Sequence, residues 1–288
     1  MILHKHDIEK GDVFSSFKKR PSNSNKGTFG TAALICGSYS MAGAAIICAK
    51  ACLHSGVGLV NIICPKSIYP IVAAAIPEAV FTPVNDDLTS DDMQKVRLAL
   101  KKSKCTAIGC GCGQTDYTRK LLYAVTEYAN SPIIIDADGI NCLCDSIDLL
   151  TKNNQPIILT PHPGEMSRLI GKSVDHVQQN RIETALNFVE TNNVTLILKG
   201  HETIVMQPNG TAGINHSGNA GMATGGSGDM LCGMLAAFVA QGLDIGKACE
   251  AAVYLHGLSG DICAEKYSMA FTTPTKMIDC LARVIKKI

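Results

Sequence analysis

"GNAGMATGGSGDMLCGMLAAF", residues Gly218 to Phe238, places six glycines in its first sixteen positions and carries one charge, Asp229. An apolar run follows at once and predicts a helix over Asp229–Gln241. Gly225, Gly226 and Gly228 let the backbone take positive φ and come close to a ligand with no Cβ in the way. The first amides of a helix lack internal partners, and the macrodipole adds partial positive charge at that end. Such a seam suits an anion, either phosphate or the charge that builds during phosphoryl transfer. Asp229 stands at its edge, where a carboxylate can take a proton from a hydroxyl. Alone, G-x-G-D would be a loop with a first-turn carboxylate. It is not a Walker A loop, because no Lys follows the glycines where that loop needs one.

The rest of the chain supplies the context. Residues 1–25 are polar and read as an N-terminal arm, followed by one domain over 26–288. "TAALICG" from Thr31 predicts a strand, Ala42–His54 a helix, and "GLVNIIC" (Gly58–Cys64) the next strand. Ser90, followed by Asp91 and Asp92, offers a cap and first-turn carboxylates for a helix over Ser90–Lys102. Strands then fall in "CTAIGCG", "SPIIIDADG", "QPIILTPHPGE", "VTLILKG", "ETIVMQ" and "GTAGINHSG", with helices over Asp116–Tyr128 and Val174–Thr191. Helices over Ile245–Tyr267 and Pro274–Lys287 finish the chain. Apolar strands without clean alternation are buried on both faces. The pattern predicts an α/β domain with a mostly parallel sheet and helices on both sides.

Sheets of this kind gather ligands at the carboxyl ends of their strands. Five turns there are unusual: "IGCGCGQ" (Ile108–Gln114), "DADGIN" (Asp136–Asn141), "TPHPGE" (Thr160–Glu165), "LKGHET" (Leu198–Thr203) and "GGSGD" (Gly225–Asp229). One would mean little, but five point to a shared cleft. His162, between two prolines, is either a rigid-turn residue or a ligand contact. Asp136 is expected to satisfy turn amides through its side chain, and Asp138 is open between that role and Mg²⁺. Glu165 suits the capping position of the helix that follows. Lys199 is a phosphate ligand or part of a tight strand turn, while His201 and His256 read as structural.

Composition excludes several classes. With 46% hydrophobic and 18% charged residues the chain is globular. A net charge of +1, no Trp and 5% aromatics leave no surface for nucleic acid or an anionic membrane. The start, "MILHKHDIEKGDVFSSFKKR", lacks the apolar core of a signal peptide, so a cytoplasmic protein is expected. The uncharged run Thr31–Ala49 is interrupted by Gly37, Ser38 and Gly43, which argues against a membrane span. Thirteen cysteines are dispersed, and the close pairs, Cys110/Cys112 and Cys142/Cys144, have C-x-C spacing. Without C-x-x-C and matching histidines they read as reduced, small hydrophobes, and no residue is assigned as a metal ligand.

"KGTFG" (Lys26–Gly30), "GSYSMAGAA" (Gly37–Ala45), "SGVGLV" (Ser55–Val60), "TPHPGE", "LKGHET", "GNAGMATGGSGDMLCGM" and "AVYLHG" (Ala252–Gly257) also match a known family in order and spacing. From Lys26 onward the chain resembles the ADP/ATP-dependent NAD(P)H-hydrate dehydratases. The resemblance implies a ribokinase-like three-layer sandwich that dehydrates the hydrated form of NADH or NADPH at the expense of ADP or ATP, with Mg²⁺. It implies that Asp229 is the catalytic base beside an anion hole of Gly226, Ser227 and Gly228. Nucleotide binding falls to Lys199, Gly200, His201, Glu202, Thr203 and Gly228. The hydrate site falls to Ala44, Gly111, Gly113, His162 and Asp229. A homotetramer and a separate epimerase in the same repair pathway are implied as well. Ser227 stands where the family often has Thr, which keeps the hydroxyl. "GCGCG" stands where G-P-G-L is usual, so Gly111 and Gly113 both remain candidates for the substrate contact. A ribokinase-like kinase of a small alcohol is the alternative.

Overall fold

Successive residues of the middle strands are buried on opposite sides, Leu34 with one apolar cluster and Ile35 with another, so both faces of the sheet must be covered. The computed structural model describes residues 2–152 and 154–285 and shows how this is done. The chain begins β1 (His4–Asp7), α1 (Lys10–Ser15), β2 (Thr31–Ile35), α2 (Ala42–His54), β3 (Leu59–Pro65), α3 (Tyr69–Ala75) and β4 (Val80–Val84). It continues α4 (Ser90–Lys102), β5 (Cys105–Ile108), α5 (Asp116–Tyr128), β6 (Ile133–Ile135), α6 (Ala137–Leu143), α7 (Leu149–Lys152) and β7 (Ile157–Leu159). Next come α8 (Pro163–Ile170), α9 (Val174–Gln179), α10 (Arg181–Asn192), β8 (Thr195–Leu198), β9 (Thr203–Met206) and β10 (Thr211–Asn215). The last elements are α11 (Ser227–Ala240), α12 (Ile245–Tyr267) and α13 (Pro274–Ile285).

The strands form one sheet in the order β1-β10-β9-β8-β7-β6-β5-β2-β3-β4. Only β9 runs against its neighbours among the described residues. Residues of α2, α11, α12 and α13 pack on one face, and residues of α4, α5, α6 and α10 on the other. The chain first moves outward from β2 to β4, then returns to pair β5 with the other side of β2. That reversal opens a crevice beyond the carboxyl ends of β2 and β5, the usual ligand position in such sheets. The turn there is tied across the gap, with the Gly37 amide donating to the Cys110 carbonyl at 2.8 Å. No helix among the described residues is long and apolar enough to cross a membrane.

Three of the sequence-based expectations are corrected, and a fourth lies beyond what the structure describes. The arm over residues 1–25 contributes α1 and a strand, since β1 pairs in parallel with β10. The helix expected over Val174–Thr191 breaks at Asn180, whose side-chain amide donates to the His176 carbonyl at 3.0 Å and competes with the helical ladder. Thr89, not Ser90, caps α4, its hydroxyl accepting from the Asp92 amide while Asp92 accepts in return. Lys286 and Lys287, expected at the end of the last helix, lie outside the described residues.

Candidate active site

Of the three glycines expected to take positive φ, Gly226 does so and Gly225 and Gly228 do not, because one left-handed residue is enough to start the helix. Gly226, at φ 89°, is the N-cap of α11 and starts it from a left-handed conformation that its lack of a Cβ permits. The Ser227 amide donates to the Thr224 carbonyl at 3.3 Å, and the ladder of α11 starts with Met230 donating to Gly226. The Gly228 and Asp229 amides therefore have no carbonyl partner among the described residues and stand at the positive end of a 14-residue helix. Asp229 is half-buried there. Burial, reinforced by the negative charge of Asp136, raises its pKa above the ordinary carboxylate value. A carboxylate so placed is a better proton acceptor near neutral pH.

The other four turns converge on this helix end. Lys199, from the turn after β8, reaches Asp136 after β6 with an Nζ–Oδ1 distance of 2.7 Å and Glu165 on α8 at 3.8 Å. A Cβ placed on Gly228 would lie 3.5 Å from that ammonium, so the Lys-Gly turn and the start of α11 share one wall. Burial alone would lower the Lys199 pKa, but Asp136 and Glu165 hold it above the ordinary ammonium value. Asp136 was expected to bond turn amides; instead its side chain leaves the α6 cap empty and pairs with Lys199. Asp138 takes the turn role, accepting from the Gly113 amide at 2.7 Å.

His162 caps α8. Its Nδ1 accepts from the Gly164 and Glu165 amides at 3.0 and 3.2 Å, and Glu165 accepts from the His162 amide at 2.8 Å. This reciprocal arrangement fixes Nδ1 as an acceptor and leaves Nε2 facing Glu165 at 3.3 Å. Desolvation lowers the His162 pKa, which keeps the ring neutral. Gly111 meets Ala44 on α2, since a Cβ added to it would come within 2.6 Å of the Ala44 methyl. Of the two glycines left open by the sequence, Gly111 faces α2 and Gly113 is tied to Asp138.

His201 and Glu202 do not join this group. They are exposed and, with Lys5 and Arg181, line a groove of about 440 Å³ beside the turn, where Glu202 also faces His216 at 3.4 Å. Thr203 closes the turn by donating to the Gly200 carbonyl at 2.9 Å. Arg181 was missed by sequence reasoning. Its guanidinium donates to the carbonyls of Leu198, Lys199 and Glu202 at 3.0, 3.3 and 3.4 Å and so clamps the whole turn from α10. No local signal marks an arginine 18 residues upstream of Lys199 as its brace. Ser227 contacts the buried His256 at 3.3 Å, consistent with a structural His256. All thirteen cysteines are free thiols.

Comparison with known proteins gives the family and the fold. A family model described as NAD(P)H-hydrate dehydratase matches residues 32–283. A bifunctional NAD(P)H-hydrate repair enzyme of Thermofilum pendens is 33% identical over 98% of this chain and 54% of its own length. The chain spans about half the length of the bifunctional curated relatives it matches. The crystal structure of an ADP/ATP-dependent NAD(P)H-hydrate dehydratase from Bacillus subtilis, co-crystallised with ATP and Mg²⁺, superposes with a TM-score of 0.85 at 30% identity, covering 98% of both chains. A ribokinase-like superfamily protein of Enterococcus faecalis gives a TM-score of 0.87 at 28% identity over 99% of this chain and 96% of its own, so the sandwich is the ribokinase-like one. With the match running from β2 into α13, the chain belongs to the NAD(P)H-hydrate dehydratase family.

Proposed function

We propose that this chain dehydrates the hydrated form of NADH or NADPH at the expense of ADP or ATP, restoring the working cofactor. The observation that carries the reading is the meeting of Asp229, the open amides of Gly228 and Asp229, and the Lys199 ammonium at one point beyond the strand ends. Asp229 takes the proton of the hydrate's ring hydroxyl as its oxygen attacks the terminal phosphorus, and the nucleotide leaves with one phosphate fewer. The helix amides and Lys199 hold the charge that builds on the transferred group. The C–O bond then breaks with its electron pair leaving on the phosphate, the neighbouring ring carbon gives up a proton to water as the ring C=C bond forms, and the same donors stabilise the phosphate as it leaves. Ala44 and Gly111, which leave little room between α2 and the turn after β5, form the wall on which the nicotinamide ring is seated.

The groove beside Gly200 to Thr203, with Lys5 and Arg181 on its sides, supports a nucleotide carried by that turn. Mg²⁺ fits as an ion that arrives on the nucleotide's phosphates and needs few protein oxygens. Asp138, with one carboxylate oxygen left beyond its bond to Gly113, would hold it, and the ion would neutralise phosphate charge. By the same resemblance we infer a homotetramer, a cytoplasmic location and a companion epimerase. Exposed Tyr39, Met269 and Phe271 give an assembly apolar surface to cover.

The test follows the near-ultraviolet absorbance of reduced nicotinamide when the protein meets the hydrate, Mg²⁺ and either ADP or ATP. A nucleotide-dependent rise that the Asp229→Asn variant loses is expected. Absence of any rise, from protein that still binds nucleotide, would overturn the reading in favour of a small-alcohol kinase.

A further inference from the structure

Three cysteines far apart in sequence meet beneath this site. Cys48 comes from α2, Cys110 from the turn after β5 and Cys232 from α11, and their sulfurs all lie within 4.8 Å of one another. Each is about 1% exposed. Their closeness is enforced by the backbone, since Gly233 lets α11 rest so tightly on α2 that a Cβ there would come within 2.0 Å of the Cys48 carbonyl oxygen. Cys110 is the member nearest the chemistry, its thiol donating to Asp136 Oδ2 at 3.6 Å on the side away from Lys199. An ordinary core would meet these positions with methyl groups. Here three thiols meet instead.

We propose that Cys48, Cys110 and Cys232 form a binding site for a soft monovalent cation, Cu(I), directly below the catalytic carboxylates. Three sulfurs at about 2.3 Å from a central ion stand about 4 Å apart, a contraction of less than about 1 Å from the separations found here. Soft thiolate ligands select Cu(I), which accepts three sulfur ligands, whereas a structural zinc ion takes four. The step is ligand exchange without redox change. Cu(I) replaces the protons of Cys110 and one of its two neighbours, which pass to the buffer, and the third sulfur binds as the neutral thiol. The resulting single negative charge faces the Lys199 ammonium and the positive end of α11. In the free protein the hydrogen bond in which Cys232 accepts from Cys110 favours the neutral Cys110 thiol and, with burial, raises it well above its usual range, so a thiophilic ion must displace protons to bind. Occupancy withdraws the Cys110 proton from Asp136. Resting on the dehydratase reading, this also makes bound copper an inhibitor.

The binding arm of the test does not depend on that reading. Reduced protein is titrated anaerobically with Cu(I) held by a competing chromogenic chelator, and the loaded protein is examined by X-ray absorption. One equivalent withheld from the chelator, with three sulfur neighbours at about 2.3 Å, is expected. Cys110→Ala should weaken retention at least tenfold, while Cys144→Ala, away from the cluster, should not. Because core variants can misfold, the melting temperature is read in parallel: Cu(I) should raise it in the wild type and in Cys144→Ala but not in folded Cys110→Ala or Cys232→Val. Retention unchanged in Cys110→Ala, four-coordinate zinc taken up in preference, or copper bound with fewer than three sulfurs would each overturn the proposal. Binding as expected without loss of dehydration would refute only its inhibitory consequence.

Discussion

Replacing Lys199 by Met tests the charge arrangement on which the site is built. The substitution keeps most of the stem and removes the ammonium that sits 2.7 Å from Asp136 and 3.8 Å from Glu165. Glu165 keeps the His162 amide, but Asp136, 1% exposed, is left among the described residues with the Cys110 thiol. Removing one partner of a buried pair costs about 3–5 kcal/mol. Lys199 is 18% exposed and so not wholly desolvated, which puts the loss of unfolding stability in urea for Lys199→Met at about 3–4 kcal/mol, the lower part of that range. Adding Asp136→Asn removes the orphaned charge and should return at least about half of that loss, a coupling energy of about 1.5–2 kcal/mol in the double-mutant cycle. A double variant as unstable as Lys199→Met alone, or a single variant that loses less than about 1 kcal/mol, would refute the claim that Lys199 neutralises Asp136.

Two further outcomes follow from packing and burial. Gly233→Ala would drive a methyl into the Cys48 carbonyl, a backbone atom that cannot swing aside. We expect a loss of about 1–3 kcal/mol in urea and a raised KM for the hydrate, because α2 also carries Ala44; a variant more stable than wild type would contradict the contact. Burial lowers the His256 pKa to about 4, so the unfolded chain binds the extra proton first as pH falls below about 6.5. Stability should then fall between about pH 6.5 and 4, by up to about 3 kcal/mol from this residue, and His256→Gln should flatten the profile of urea midpoints; an unchanged slope would count against a buried neutral His256.

Much of the architecture was legible in the sequence, because it rests on local signals. The bounds of α2, α5 and α12 match those expected, α2 as an apolar run and α5 and α12 with side-chain caps from Thr115 and Asp244, while α11 starts two residues before the expected Asp229. Parallel strands buried on both faces announced themselves as apolar runs, and the five turns marked the carboxyl ends. The break at Asn180 was not legible, because Val174–Thr191 carries the helical period throughout and only the chosen hydrogen bond of one amide interrupts it. The strand at His4–Asp7 was hidden for a similar reason: it is exposed along its length and is defined by its partner β10 rather than by its own residues.

What the sequence by itself determined is the family and the local character of its turns, above all a glycine-rich helix start with a carboxylate in its first turn. These are properties of neighbouring residues. What only the tertiary structure decided is which distant groups share a charge or a wall. Lys199 pairs with Asp136 across 63 residues of chain. Arg181 braces the turn that holds Lys199, and Cys48, Cys110 and Cys232 meet where α2, α11 and the turn after β5 close on one another. Such contacts leave no periodicity and no spacing in the chain, because they are set by the order of strands in the sheet and by how closely Gly233 lets two helices approach.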